Sequence, residues 1–294
     1  MKNLPVLNIE QFEEEKSLIN FYSNDLGIHL KKNKAIVHKS HSHNFFLCVF
    51  FSEGNGIHEI DFNTYKVKTG SVFFLRPGQT HSWKFDSAPK GYIFFHTQDF
   101  YKFYFLNKEL SQFPFYYSYK NPPNLLLISE ERTEIELRFK EINNEYHKKL
   151  SYQNQKLVSL INLVYIDLSR IYSAIEPRKE VLSSSYLQTF NNLEKTIEQF
   201  YKTEKSANFY ADKLSITTKH LNRITKATIN KTTTEFITER LLLEAKRHIV
   251  HSKNSLSTTA EILGYDDYAY FSRLFKLKEG ITPMDFRKKY NANI

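Results

Sequence analysis

One short stretch of the chain places basic and small polar side chains at helical spacing, the pattern of a surface that contacts nucleic acid. In "LGYDDYAYFSRLFK" (263–276), Ala269, Ser272, Arg273 and Lys276 recur on one face of a helix. Arginine and lysine donate hydrogen bonds to phosphate oxygens and to base edges. An ordinary solvated face of an amphipathic helix has the same composition, so this stretch alone leaves both interpretations open.

The apolar positions of the same stretch predict the elements that position this face. Phe271, Leu274 and Phe275 follow the i, i+3, i+4 spacing of a buried stripe. Asp266 or Asp267 can cap the first turn. Gly264 suits the left-handed position that ends a preceding short helix. We therefore predict a helix, a tight turn and a second helix.

A second copy of this unit lies about fifty residues upstream, in residues 211–230. A shift of fifty aligns Arg223 with Arg273 and Lys226 with Lys276, whereas the leading helices align at forty-nine, so the second turn holds one extra residue. Thr217 takes the capping role in the first copy. The two outward faces give our predicted DNA-contact residues: Thr218, Lys219, Asn222, Arg223 and Lys226, then Tyr268, Ala269, Ser272, Arg273 and Lys276.

A single amphipathic helix is predicted between the copies, over residues 232–252. Roughly twenty helical residues span about 30 Å, and one turn of B-DNA advances about 34 Å. A helix of this length suits two recognition helices in successive major grooves, although a plain spacer has the same length.

Residues 186–290 resemble the DNA-binding domain of AraC-type transcription regulators. The match to the family pattern is closest in "AEILGYDDYAYFSRLFKLKEGITPMDFRKKY" (260–290). This stretch contains the family's Gly-Tyr (264–265), Tyr-Phe-Ser-Arg (270–273), Thr-Pro (282–283) and Phe-Arg (286–287) motifs. The first copy departs from the family pattern: Thr225 replaces a core Phe, Asn230 replaces Gly, and Leu241 stands where Arg is common in the linking helix. The resemblance implies two helix-turn-helix units that bind double-stranded DNA.

Composition and charge agree with a cytoplasmic, DNA-binding protein. Residues 186–294 hold 18 Lys and Arg against 12 Asp and Glu, a net +6 of the chain's formal +9. A basic excess suits a polyanionic partner. Cys48 is the single cysteine, which excludes an internal disulfide and fits a reducing compartment. No secretory h-region and no run of eighteen apolar residues occurs, so we expect no membrane contact.

The N-terminal part predicts a β-barrel or sandwich. Short runs rich in Phe, Val and Ile alternate with turns at 54–56, Gly70 and Pro77-Gly78. The spacing of His41, His43, the glycines and His81 is similar to the two cupin motifs, and AraC-type regulators often carry such a barrel as a sensory domain.

Three histidines of this region have the chemistry of a metal or ligand site. His41 and His43 share a strand face and, with His81, offer the imidazoles that a divalent transition metal takes. Metal-binding cupins usually have Glu where Leu47 and Cys48 stand here, so we predict no metal and no cofactor. The cupin resemblance instead implies that a small polar effector binds to His41, His43, Arg76, His81 and Trp83.

The chain is thus predicted to be a two-domain α+β protein. Residues 1–128 form a cupin-like sensory barrel, 129–174 a helical segment that packs on the barrel or dimerises, 175–185 a linker, and 186–294 an all-α domain with two helix-turn-helix units. We predict a transcription regulator that works as a homodimer and is not an enzyme. The alternatives are a metal-dependent cupin enzyme and a nonspecific DNA-coating protein.

Overall fold

The computed structural model describes residues 5–12, 20–34, 39–105, 110–117, 121–175 and 184–291, which divide into two compact units between residues 177 and 178. Most of the predicted linker, residues 176–183, lies outside the described residues. Its two ends, at 175 and at 184–185, belong to helices. The first unit is β-rich and the second is helical, as the sequence predicts.

The N-terminal unit is built on a five-stranded antiparallel sheet and a smaller three-stranded one. The larger has the order β10-β7-β4-β9-β2, the smaller has the order β6-β5-β8, and β1 pairs in parallel with β3. The described strands are β1 (Val6–Leu7), β2 (Phe21–Asp25), β3 (Ser42–His43), β4 (Phe46–Glu53), β5 (Gly56–Ile60), β6 (Asn63–Val67), β7 (Ser71–Leu75), β8 (His81–Phe85), β9 (Lys90–His96) and β10 (Asn124–Leu126). Gly54 and Asn55, Gly70 and Pro77-Gly78 lie between these strands, as predicted, whereas Gly56 is the first residue of β5.

Helices cover one face of the larger sheet. They are α2 (Gln98–Tyr104), α3 (Pro114–Tyr117), α4 (Ser129–Lys148) and α5 (Gln153–Ile175), with a 3-10 turn at Leu110–Gln112. On the other face, α1 (Leu26–Lys32) and a 3-10 turn at Ile9–Gln11 contribute Leu26, Leu30 and Ile9 to the core between the sheets. Within the segment predicted to be helical, residues 129–174, the structure has the two helices α4 and α5.

The central strands are apolar on both faces, so the unit has two cores. Successive side chains of a strand point to opposite faces. Phe50 and Phe94 therefore pack with the helices, whereas Val49 and Phe95 pack between the two sheets. This explains why the run from 45 to 51 shows no alternation of apolar and polar residues.

The apolar stripe of α5 lies in the core on the helix side, where Leu157, Ile161, Val164 and Leu168 are fully buried. Among the described helices, α5 is long and apolar enough over Gln153–Ala174 to cross a membrane by length and composition. The core helix of a folded domain passes the same test, and this stripe is already covered by the sheet.

The C-terminal unit repeats one two-helix motif on either side of a long helix. Its helices are α6 (Ser184–Phe200), α7 (Ala207–Lys213), α8 (Thr218–Ile229), α9 (Thr233–His251), α10 (Leu256–Ile262), α11 (Tyr268–Glu279) and α12 (Pro283–Asn291). The starts of α7 and α10 differ by 49 residues and those of α8 and α11 by 50, which confirms the extra residue in the second turn. Thr217 and Asp267 cap the second helix of each copy by accepting backbone N–H groups.

Left-handed residues end the helices at matching positions of the two copies. Asn230 has φ 55° where the second copy has Gly280 at φ 78°, which confirms that Asn accepts this conformation. In the first turn, Ser215 at φ 55° matches Gly264 at φ 73°. The shared backbone therefore survives the residue changes between the copies.

The first copy also accommodates Thr at its core position. Thr225 is fully buried, and its hydroxyl donates to the backbone carbonyl of Leu221 or Asn222 and lies 3.3 Å from the Thr233 hydroxyl. Because the polar group has partners, its burial does not leave an unpaired donor in the core.

The linking helix α9 is held by an ion-pair network around a buried arginine, which the sequence patterns did not predict. Arg240 is 8 % exposed and donates from Nε and Nη2 to both carboxylate oxygens of Glu198 on α6, at 2.6 and 2.9 Å. Its guanidinium also pairs with Glu244 and lies over the Tyr201 ring. A bidentate pair of this kind fixes geometry as well as charge.

Candidate functional site

The exposed face of α8 carries three cations beside two half-buried polar residues. The exposed residues are Lys219, Arg223 and Lys226, and the half-buried ones are Thr218 and Asn222. The hydroxyl of Thr218 donates to the side-chain oxygen of Asn208 on α7 at 2.7 Å, which ties the recognition helix to the helix before it.

Two of these side chains have partners within the protein. The Asn222 side-chain oxygen accepts the N–H of Thr233 at 2.9 Å, so Asn222 helps to start α9 and leaves only its amide NH₂ for an outside partner. Arg223 Nη2 lies 2.7 Å from His220 Nδ1. Because a guanidinium only donates, the His220 ring accepts here, which orients the arginine on the surface.

The face of α11 is arranged in the same way. Phe271 and Phe275 are fully buried and Leu274 is half-buried, which confirms the predicted inward stripe. Outside lie the exposed Ala269, Arg273 and Lys276 and the half-buried Tyr268 and Ser272. Each helix-turn-helix unit therefore presents one Arg and at least one Lys to solvent, as a DNA contact requires.

A cluster of side chains predicted to bind an effector lies between the sheets of the N-terminal unit. The buried rings of His41 and His43 lie with centroids 4.3 and 5.3 Å from that of His81. Trp83, two residues along β8, has its ring centroid 4.9 Å from His81. The structure thus brings together four of the five residues predicted for the effector site.

A fourth histidine joins the cluster. His58 on β5 is fully buried, and its Nε2 lies 3.0 Å from Nδ1 of His81. The register of the smaller sheet places His58 opposite Trp83. We call His41, His43, His58, His81 and Trp83 the barrel cluster.

Backbone carbonyls determine which nitrogen of two imidazoles carries the proton. Nδ1 of His41 lies 2.8 Å from the Lys39 carbonyl, and Nδ1 of His43 lies 2.7 Å from the Phe45 carbonyl. A carbonyl oxygen only accepts, so both Nδ1 atoms donate. In the neutral ring the Nε2 atoms of His41 and His43 are therefore hydrogen-bond acceptors.

The barrel cluster contains buried polar atoms without a hydrogen-bond partner in the part of the chain that the structure describes. They are His43 Nε2, His58 Nδ1, His81 Nε2 and Trp83 Nε1. A buried polar atom without a partner costs about 1–3 kcal/mol. Such a group of atoms is typical of a site that hydrogen-bonds a ligand.

The imidazoles of the cluster are uncharged at neutral pH. Burial, with a smaller contribution from the charge of His41, lowers the pKa of His43 from 6.5 to about 3. Burial and the neighbouring imidazoles lower the pKa of His58 and of His81 well below 6.5. The cluster therefore offers neutral acceptors and donors and no positive charge that would attract an anion.

Arg76 is not part of this cluster. It follows Phe74 on the strand face that packs with the helices, and its Nη1 lies 3.5 Å from the carbonyl of Tyr116 on α3. The structure therefore places Arg76 on the opposite side of the sheet from the histidines. Its position in the cupin motif predicted that Arg76 would point toward the histidines. The alternation of side chains along β7 instead directs Arg76 toward the helices.

The cluster does not fit a metal ion. Among the described residues no group of three or more His, Cys, Asp or Glu side chains is placed to hold one. Leu47 and Cys48 stand where metal-binding cupins have their carboxylate. The chemistry of the site is that of hydrogen bonding.

Comparison with known proteins covers both units. An AraC-like ligand binding domain matches residues 29–127, and a helix-turn-helix domain matches residues 210–289. The chain is 24% identical over 261 residues to the HTH-type transcriptional activator RhaS of Enterobacter sp. (strain 638), covering 86% of this chain and 89% of that protein. It is 26% identical over 276 residues to the HTH-type transcriptional activator Btr of Bacillus subtilis (strain 168), covering 90% of this chain and 48% of that one. The solved structure of ToxT from Vibrio cholerae aligns with a TM-score of 0.44 and 12% identity over 91% of this chain and 98% of that chain.

Proposed function

Because the chain belongs to the AraC family of transcription regulators, with its ligand-binding and helix-turn-helix domains, we propose that the barrel cluster senses an effector and the two recognition helices read its operator. The chain is a DNA-binding regulator and not an enzyme, and neither matched family supports a cupin enzyme. We also propose which residues bind the effector and which contact DNA, and that the protein is cytoplasmic.

The effector that suits the barrel cluster is a neutral small molecule bearing several hydroxyl groups. The observation that carries this is the set of buried, uncharged ring nitrogens that have no partner among the described residues, in which Nε2 of His43 accepts and Nε1 of Trp83 donates. A hydroxyl both donates and accepts, so it satisfies both kinds of atom. A carboxylate only accepts and would face the acceptor nitrogens of His41 and His43 without a nearby cation.

The experiment is a binding titration followed by Trp83 fluorescence, since Trp83 is the one tryptophan of the chain. Neutral polyhydroxy compounds are compared with organic acids of the same size on the wild-type protein, His81→Ala and Arg76→Gln. We expect saturable binding of a polyhydroxy compound that His81→Ala abolishes and Arg76→Gln retains, because Arg76 faces the helices. Saturable binding of acids alone, or loss of binding in Arg76→Gln, would contradict this site.

Coupling to DNA is tested with the same variants. A bound effector changes operator affinity only by its differential affinity for two states, typically by 1–3 kcal/mol. We expect His81→Ala to lose the response to the effector with unliganded DNA affinity almost unchanged. An effector response that persists at full strength in His81→Ala would remove this residue from the site.

We further propose that the protein is a homodimer through the outer surface of α4 and α5. Leu137 on α4 and Leu163 on α5 are 62% and 42% exposed. Leu137 precedes Arg138 in sequence and Leu163 lies four residues before Asp167, and Arg138 Nε lies 2.7 Å from Asp167. The main stripe of α5 is covered by the sheet, so these outward leucines are what remains for a partner helix. Sedimentation velocity should show a dimer that Leu137→Glu dissociates, whereas Ile57→Glu on β5, a control at a side chain that is 41% exposed, leaves it intact. A dimer that withstands Leu137→Glu and Leu163→Glu together would exclude this surface.

A further inference from the structure

One lysine connects the segment just before the first helix-turn-helix unit to the turn of the second unit. Lys205 lies in the segment between α6 and α7, just before the first unit. Its Nζ donates to the carbonyl of Gly264 at 2.6 Å, in the turn of the second unit, and to the carbonyl of Lys202 at 3.2 Å in its own segment. The same ammonium lies 4.7 Å from the ring centroid of Tyr265, within the range of a cation–π interaction.

Close backbone packing accompanies this contact. Gly264 has φ 73°, and a Cβ at this position would overlap the carbonyl oxygen of Lys202. The matching residue of the first copy, Ser215, carries a side chain at a similar φ of 55°. Glycine is therefore required in the second turn by the neighbouring segment as well as by its own conformation.

The two helix-turn-helix units are joined in sequence by α9, and the Lys205 contact adds a second connection between them. A single helix fixes the distance between its ends but leaves bending and rotation at each end. On the second unit's side, Arg287 of α12 already binds the carbonyls of Ile249 and Asn254 at the end of α9. Lys205 ties that unit back to the segment that leads into the first one.

We propose that Lys205 is a positioning residue that sets the spacing between the two DNA half-sites, an inference that rests on DNA reading by both units. One added base pair moves a half-site by about 3.4 Å and rotates it by about 35° around the duplex. Two rigidly connected units accept one spacing. Units connected by α9 alone tolerate a shift of a base pair.

The test uses the whole chain and begins by selecting the sequences that it binds from random-sequence DNA duplexes. Each selected site is then rebuilt with one base pair more or one base pair fewer between its two half-sites. Four proteins are compared: wild type, Lys205→Met, Lys205→Arg and Lys202→Met. Lys202→Met removes a charge three residues away and keeps the backbone carbonyl, so it is the matched control.

Wild type and Lys202→Met should prefer one spacing by at least about tenfold, the scale of one lost base contact. Lys205→Met should select the same half-site sequences but bind the three spacings within about twofold of one another, and Lys205→Arg should restore the preference because it donates to the same carbonyls. General destabilisation would weaken all three spacings equally. An unchanged spacing preference in Lys205→Met would overturn the proposal.

Hydrogen exchange of the same proteins without DNA provides the second readout. Lys205→Met should speed exchange of the backbone amides of Gly264 and Tyr265, and Lys202→Met should not. Equal protection in both variants would also overturn the inference. Failure of the wild type to enrich any DNA sequence would instead refute sequence-specific DNA binding, and the exchange result would still decide whether the contact is present.

Discussion

Lowering the pH from 7.5 to 5 should destabilise the N-terminal unit, because its buried histidines are neutral in the fold. Burial lowers the pKa of His29 and His43 to about 3 and that of His96 to about 4, from an ordinary 6.5. When the folded pKa is the lower one, the stabilisation is complete above pH 6.5. It is lost as the pH falls toward the folded value, because the unfolded chain binds more protons.

The magnitude follows from these shifts. At pH 5 each unfolded imidazole is almost fully protonated and each folded one is not, which costs about 2 kcal/mol per histidine, or about 6 kcal/mol for the three. A folded pKa one unit higher hardly changes this figure at pH 5. Domains are typically stable by about 5–15 kcal/mol, so the unit should be close to unfolding at that pH.

Urea titrations from pH 7.5 to 5, followed by tryptophan fluorescence, measure the effect. The one tryptophan, Trp83, is 4% exposed in the barrel cluster and reports on this unit alone. The free energy of unfolding should fall by at least about 4 kcal/mol per pH unit below pH 6, the slope for these three protons, because the lowered pKa values of His58 and His81 act in the same direction. His43→Gln should lower that slope by one proton, and His220→Gln in the other unit should not change it. An uptake of less than one proton on unfolding at pH 5 would refute the reasoning.

Three further predictions concern the DNA-binding unit. Arg273→Ala should cost about 1–3 kcal/mol of base discrimination with an unchanged melting temperature. Phe275→Ala should instead cost about 3–5 kcal/mol of the free energy of unfolding. Equal melting temperatures for the two variants would contradict the assignment of Phe275 to the core and of Arg273 to the exposed face. Replacing Lys226 or Lys276 with Ala should weaken binding to all sequences alike and lower the salt slope by roughly one, as measured by titrations at several salt concentrations; a sequence-selective loss would assign base contacts to these lysines. Gly264→Ala should destabilise the domain in thermal melts, because its Cβ would overlap a backbone carbonyl, and a wild-type melting temperature would contradict that packing.

Local patterns predicted the elements of the helical unit and their caps. The stripe of Phe271 and Phe275, the cap at Thr217 and the shift from 49 to 50 residues all depend on neighbours in sequence, which periodicity reports directly. The contact between the Thr225 and Thr233 hydroxyls joins two helices and was not visible in the pattern.

The barrel cluster was predicted less completely because it depends on strand register. His58 joins His81 only through the pairing of β5 with β8, which lie more than twenty residues apart in sequence. Alternation along β7 would have placed Arg76 with Phe74 rather than with the histidines. Because the flanking residues on both faces of that strand are apolar, the sequence did not show which face was the barrel interior.

The central sheet with two apolar faces has a consequence for how the protein is made. When β9 has left the ribosome, Phe50 and Phe94 lack their contacts with Phe139 of α4, and Phe94 lacks Tyr165 of α5, until these helices follow. At about 5–20 residues per second, the roughly eighty residues from β9 to the end of α5 take about 4–16 s to synthesise. During that interval the nascent sheet presents an aromatic surface to every other chain in the cell. A polypeptide that stops at residue 128 would keep that surface permanently, and we expect it to accumulate as aggregates or bound to chaperones. The segment 129–174 is therefore needed for the barrel to become a soluble product at all.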